Sequence, residues 1–236
     1  MHYRYQQFRP VDAFRHLIDA YWLNQPGAGD GASSASHGRV LPDGCIDLVF
    51  RGYAGTGIDR EGRLFSSALI ERPMLIDATD TGWFVGIRFR PAMAQAILDI
   101  EPSACRDRDI RASEIDPGFS ALEDRLRDCH SPEQALTVLK RKVDERLANS
   151  ERRTAPGRVR EALALLARGG GDSVHVGDVA LSLGIAERSL HRELVRWTGL
   201  APKSMARILR MQRTMTAIRA GRMPLAAVAH RMGYAD

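Results

Sequence analysis

The chain has 236 residues, 44% of them hydrophobic and 27% charged, with a formal net charge of +5. That is the composition of a globular protein of one or two domains. No apolar run approaches the ~20 residues that cross a bilayer, and nothing behind Met1-His2-Tyr3-Arg4-Tyr5 reads as a secretory signal, so a cytoplasmic protein with no membrane partner is expected.

Residues 1–90 read as mostly β. Ile46-Asp47-Leu48-Val49-Phe50 and Trp83-Phe84-Val85-Gly86-Ile87-Arg88-Phe89 are rich in β-branched and aromatic residues. Turn signals bound them: Pro42-Asp43-Gly44, Gly55-Thr56-Gly57, Arg60-Glu61-Gly62 and Thr81-Gly82. Several short strands with frequent turns predict a barrel-like or sandwich-like domain. One short helix is expected within 11–20. Gly27 to Gly38 is rich in Gly, Ala and Ser and reads as a mobile loop.

After Pro91 the period changes. A helix is predicted over Ala92–Ile100, with Pro91 suited to a first helical position. Two more are expected between Pro117 and Leu147. Ser131-Pro132-Glu133-Gln134 opens the second, with Ser as N-cap and Gln at the capping-box position. Its apolar positions Leu136, Leu139, Val143 and Leu147 are spaced by 3, 4 and 4.

Residues 148–157 are polar and rich in helix breakers, and the charge balance changes there. Residues 1–150 carry 19 Lys and Arg against 22 Asp and Glu, a net of −3; residues 151–236 carry 15 against 7, a net of +8. A boundary is expected here, between a domain at 1–150 for sensing or dimerisation and a basic one at 157–236 suited to a polyanion. The basic part reads as helices only, at 158–168, 176–183, 187–198, 202–220 and 224–232. The expected fold class is therefore α+β, a mainly β N-terminal domain with helices followed by an all-α helix-turn-helix domain.

Within Val176 to Leu194, Ala180 is small enough for two helices to touch, and Gly184 suits the tight turn that follows. The next helix would bury Leu190, Leu194 and Trp197. That leaves Arg188, Ser189, His191, Arg192 and Arg196 facing away. Arg can bind guanine O6 and N7 bidentately, and His or Ser can donate to base edges. The competing structural reading is a three-helix bundle with a solvated basic face.

The pattern recurs: Val228-Ala229 with Gly233 repeats Val179-Ala180 with Gly184. Between the copies, Pro202–Ala220 reads as one long helix with an apolar side of Ile208, Met211, Met215 and Ile218. Its charges Lys203, Arg207, Arg210 and Arg213 are assigned to phosphates or solvent rather than bases.

Asp178-Val179-Ala180…Gly184-Ile185…Arg188…Leu190-His191-Arg192-Glu193-Leu194…Thr198-Gly199-Leu200-Ala201-Pro202, then Arg207 to Arg213, then Val228-Ala229-His230-Arg231-Met232-Gly233-Tyr234, resemble the AraC/XylS-type transcription regulators. The resemblance covers roughly 157–236. It implies two helix-turn-helix units joined by a long helix, with recognition helices in successive major-groove segments on one DNA face. It implies base or near-base roles for Arg188, His191 and Arg192. Arg39 to Phe50, followed by Gly86-Ile87-Arg88-Phe89-Arg90-Pro91, resembles an uncharacterised N-terminal domain found on some of these regulators.

Two departures stand out. The chain stops at Asp236, just past Gly233, so the second recognition helix is expected to be absent, either because the chain is a fragment or because that unit is incomplete. Residues 224–236 are then expected to fray and expose an apolar patch. Ala186 also stands where a Ser or Thr N-cap would be expected.

Other chemistry finds little support. His37, Asp43, Cys45 and Asp47 lie close in sequence, but Asp43 is explained as a turn residue, and no metal or cofactor is expected. Cys45 has no cation nearby in sequence to activate it. The three cysteines, Cys45, Cys105 and Cys129, form no CxxC pair, which fits a reducing compartment. No nucleophile elbow, P-loop, GxGxxG or HExxH occurs, so an enzyme is not expected. Arg88 and Arg90 share a strand face, where salt bridges to nearby acids are expected. The reading is a DNA-binding transcription regulator with double-stranded DNA as partner; RNA polymerase, a small-molecule effector and a second copy are further candidate partners. The alternative is a protein-interaction module whose DNA-binding half is inactive.

Overall fold

The computed structural model describes residues 3–26, 38–53, 61–76, 82–149, 154–168 and 175–234. The Gly27 loop as far as His37, the Gly55-Thr56-Gly57 turn, Arg60, Thr81 and residues 150–153 of the expected boundary lie outside them.

The two apolar runs singled out in the sequence are neighbouring strands. β1 (Tyr3–Phe8), β2 (Ile18–Pro26), β4 (Ile46–Gly52), β5 (Arg63–Ser66), β7 (Trp83–Phe89) and β8 (Ile110–Arg111) form one sheet in the order β1-β2-β7-β4-β5-β8. All its pairings are antiparallel. β3 (Gly38–Val40) and β6 (Met74–Ile76) pair separately. Among the described residues β1 and β8 remain the two edges, so the expected barrel is an open sheet closed by helices. The helix expected within 11–20 is a correction as well. Only Asp12–Phe14 form a 3-10 turn, and Ile18 onward is strand. Leu17, Ile18, Ala20, Tyr21 and Leu23 are all buried, so β2 shows no clean alternation from which a strand could be read.

Ile46, Leu48 and Phe50 on β4 share one face with Val85, Ile87 and Phe89 on β7 and with Tyr21 and Leu23 on β2. α4 (Pro132–Asn149) packs on β2 and β7, and α3 (Phe119–Arg127) on β4 and β5. The α4 start is as expected: the Gln134 N–H donates to Ser131 Oγ at 3.2 Å. Gln134 itself reaches back to the N–H of His130 at 3.0 Å. α1 (Met93–Leu98) is shorter than expected, because Ala92 before it takes φ 71 and Pro91 lies outside the helix. α2 (Ala112–Ile115) and a 3-10 segment, Pro102–Cys105, complete this half.

The basic part is helical as expected: α5 (Gly157–Arg168), α6 (Val176–Ser182), α7 (Glu187–Thr198), α8 (Pro202–Ala220) and α9 (Leu225–Arg231). Ile208 is buried, but Met211 and Met215 are half-buried and Ile218 is 41% exposed, so the α8 stripe is buried only toward its N-terminus, where Met205 joins it. α9 is a regular helix rather than a frayed end, because Val228 and Met232 bury against α8. Leu225 remains 68% exposed, as the expected apolar patch requires.

One apolar cluster runs from the sheet through α1, α3 and α4 into α5–α8. Polar contacts reinforce the join. Gln212 Nε2 donates to Pro42 O at 2.6 Å, and Arg106 Nη2 donates to Gly199 O at 2.6 Å. Arg106 and Arg207 share Glu71 at 3.7 and 3.4 Å.

On the other sheet face, β4–β7 pairing sets Asp47 opposite Arg88. Asp47 is buried and accepts from Trp22 Nε1 at 2.7 Å and from Arg88 Nε at 3.3 Å. Arg88 Nε also lies 3.2 Å from Asp43. Asp47→Ala should cost about 3 kcal/mol, at the low end for breaking a buried pair because Asp43 still holds Arg88; denaturant unfolding measures it. Burial, assisted by the charge of Asp47, holds the Asp43 carboxyl above its ordinary range against the pull of Arg88. The folded state therefore keeps a proton that the unfolded chain releases, and stability falls as pH rises through the window above 3.8. Asp43→Asn should remove that fall, so the stability gap between the variant and its parent shifts in the variant's favour as pH rises across the window.

Candidate nucleic-acid interface

A helix reads DNA only if its neighbours hold it with one face outward. Here the hold begins at Gly184. The Ile185 N–H bonds Ala180 O at 3.0 Å and the Gly184 N–H bonds Leu181 O at 3.0 Å, with Gly184 at φ +65. This is a Schellman end to α6, whose left-handed residue suits Gly. Ala180 is buried where α6 meets its partners. Forty-nine residues later the same pair of bonds recurs, from Tyr234 to Ala229 O at 3.0 Å and from Gly233 to His230 O at 3.1 Å. Gly233 takes φ 71. The sequence echo is thus a repeat of backbone geometry.

α7 begins at Ala186, which makes no side-chain cap. Its buried stripe is Leu190, Leu194 and Thr198, while Trp197 is half-buried. The Thr198 hydroxyl bonds Leu194 O at 2.7 Å, which lets a polar residue take the place that Trp197 was expected to fill. Arg188, His191, Arg192 and Arg196 are exposed; Ser189 is half-buried, on the flank of that face.

Arg192 and Arg196 form a ridge with a groove on each side. One groove, of about 520 Å³, is lined by Pro156, Arg158, Arg192, Glu193, Arg196 and Trp197. The other, of about 510 Å³, is lined by Glu101, Arg188, His191, Arg192, Val195 and Arg196. Arg158 and Glu101 are among the lining residues not singled out in the sequence. Arg158 comes from α5 and pairs with Glu193 at 3.2 Å. Glu101 comes from the N-terminal half, and its Oε1 accepts from Ser103 Oγ at 3.0 Å.

On α8, Lys203 is exposed near the N-terminus. Arg210 is otherwise engaged than expected. It bonds Gly233 O at 3.2 Å and lies 4.7 Å from the Tyr234 ring centroid, so it braces the second turn rather than facing phosphates. Arg207 faces Glu71.

The Asp43–Cys45–Asp47 cluster is a second place where chemistry could reside. Its carboxylates are both engaged by Arg88, and Asp43 also accepts the Cys45 N–H at 2.9 Å, as its turn role requires. Burial, then the two carboxylates, push the Cys45 thiol well above its ordinary value. His37 lies outside the described residues, and among those described no group of three His, Cys, Asp or Glu could hold a metal. Arg90 pairs with Asp19 at 3.5 Å, so both arginines of that strand face meet acids. No helix among the described residues is long and apolar enough to cross a membrane.

Residues 6–111 match a family model described as a domain of unknown function, DUF6597. No curated protein matches the chain. Among solved structures, ToxT from Vibrio cholerae bound to (E)-4-(8-methylnaphthalen-1-yl)but-3-enoic acid is similar over 100% of this chain and 91% of that one, at 10% identity and a TM-score of 0.44. An apo ToxT variant from Vibrio cholerae is similar over 92% and 89%, at 10% identity and a TM-score of 0.43. Unsaturated fatty acid-bound ToxT from the same organism is similar over 86% and 82%, at 9% identity and a TM-score of 0.42.

Two glycines at the ends of α6 and α7 should respond differently to substitution. A Cβ on Gly184 would meet nothing within 4 Å, whereas one on Gly199 would come within 2.7 Å of Leu69 and 2.9 Å of Pro102 O. Gly184→Ala should therefore cost only the left-handed penalty of about 1–2 kcal/mol. Gly199→Ala should add about 1–3 kcal/mol of overpacking. Equal unfolding midpoints for the two variants would contradict the close approach at Gly199.

Proposed function

We propose that the chain is a sequence-specific DNA-binding transcription regulator of the AraC/XylS kind, in which α7 enters the major groove. The observation that carries this is the outward face of α7. Four cationic or hydrogen-bonding side chains, Arg188, His191, Arg192 and Arg196, stand on a helix fixed from behind by Leu190 and Leu194. A helix with its side chains is about 10–12 Å across, and the major groove is about 12 Å wide. Such a face therefore meets base edges while the groove walls offer phosphates to its flanks. Arg158, on the flank, and Lys203, at the start of α8, suit phosphates. The second turn, at Gly233, supports the same reading, because it places another short helix and Schellman end at the far end of α8.

In this reading residues 157–236 bind DNA, and residues 1–150 sense an effector or mediate dimerisation, in the cytoplasm where the DNA lies. RNA polymerase is the further partner that a promoter-bound regulator would meet.

Polarisation titrations with duplexes from the native promoter region, against scrambled duplexes, test the reading. Arg188→Ala and Arg192→Ala should each weaken specific binding by about 1–3 kcal/mol and relax preference at one base position. Lys203→Ala should weaken all sequences alike and reduce the salt slope by about one unit. An unchanged specificity ratio in Arg192→Ala would overturn the assignment of the reading face.

A further inference from the structure

We propose that this conformation is the one that excludes DNA, and that residues 101–106, led by Glu101, are the block. The proposal rests on the DNA-binding reading of α7. Glu101 lines the same groove as Arg188, His191, Arg192 and Arg196. When a helix fills a groove about 12 Å wide, no third element fits between it and the groove wall. That wall is a row of phosphates, and Glu101 brings a carboxylate to where it would run. The obstacle is thus both steric and electrostatic.

The segment is built into place. Ser103 Oγ donates to Glu101 Oε1 and orients the carboxylate. Pro102 O lies 2.9 Å from where a Gly199 Cβ would stand, so backbone meets backbone at the end of α7. Arg106 donates to Gly199 O, the carbonyl just past the last turn of α7, and also meets Glu71, which binds Arg207 of α8. A second latch lies along α8. There Gln212 bonds Pro42 O, and Met205 lies 3.1 Å from where a Gly44 Cβ would stand. The turn carrying that latch contains Asp43, which Arg88 holds. Whatever disturbs the Asp43–Arg88–Asp47 cluster therefore pulls on the contact with α8, and release of both latches frees the reading face.

The test uses the full chain and a random-sequence duplex of about 25 base pairs, long enough for two turns of DNA. Glu101→Gln should tighten binding about fivefold at low salt and steepen the salt slope by about one unit, since one more phosphate can be neutralised. Glu133→Gln, an exposed change on α4 with the same gain in net charge, should leave affinity unchanged. Arg106→Ala decides between latch and simple electrostatics. It removes a positive charge, so electrostatics alone makes binding weaker; loss of the latch makes it tighter. Hydrogen exchange at 101–106 should rise when the wild-type chain binds DNA. Weaker binding by Arg106→Ala, equal gains for the two glutamate changes, or protection of 101–106 by DNA would each overturn the block and leave the DNA-binding reading standing. Failure of every form to bind the duplex would overturn that reading, and the block with it.

Discussion

Arg88 lies between two carboxylates that reach it by different routes. Asp47 comes from the neighbouring strand, delivered by the β4–β7 register. Asp43 comes from the turn before that strand, shaped by its own bond to the Cys45 N–H. Together they fix the turn against the sheet, and the indole of Trp22 donates to the Asp47 carboxylate while its ring lies against Gly86. The outer side of the turn is where α8 docks. The ion cluster on the sheet is therefore one anchor of α8, which also packs on α5 and α7.

That dependence explains what could be read from the sequence. β7 at Trp83–Phe89, α7 at Glu187–Thr198 and α8 at Pro202–Ala220 have the bounds expected from the residues alone. Each carries its own signals: a dense β-branched and aromatic run, a sharp amphipathic stripe, and a Pro at one end with a Gly past the other. The two turn glycines were legible for the same reason, since left-handed backbone leaves a mark on residue choice. The 3-10 segment Pro102–Cys105 has no period to detect. Glu101 looks like any surface acid until α7, almost ninety residues later in the chain, is folded beside it. Arg210 reads as facing phosphates or solvent because its charge is visible in the sequence while its partners, Gly233 O and the Tyr234 ring, are not. Signals of local backbone and one-sided burial survive in a sequence; pairings across the fold do not.

The same contrast separates the two faces of the sheet. At its centre, where Ile46, Leu48, Phe50, Val85, Ile87 and Phe89 meet, the helix-covered face is apolar, and those residues are interchangeable within limits of volume. The opposite face holds Asp47, Arg88 and Trp22 in fixed mutual geometry, where each depends on the others for its hydrogen bonds. Substitution there is constrained by chemistry rather than by size, which is why a short run around Asp43 and Asp47 stands out among strands that otherwise look ordinary.

α8 has a consequence of its own. Both turns hang on its 19 residues, which as a helix span about 28 Å. A rigid rod of that kind is a gear as well as a spacer. Each residue inserted into it would move the second unit along by about 1.5 Å and swing it by about 100°. One extra residue would leave both units intact yet out of phase with each other, whereas seven would nearly restore the angle at a greater reach. The number of residues in α8 is therefore a setting, and its composition can drift far more freely than its length.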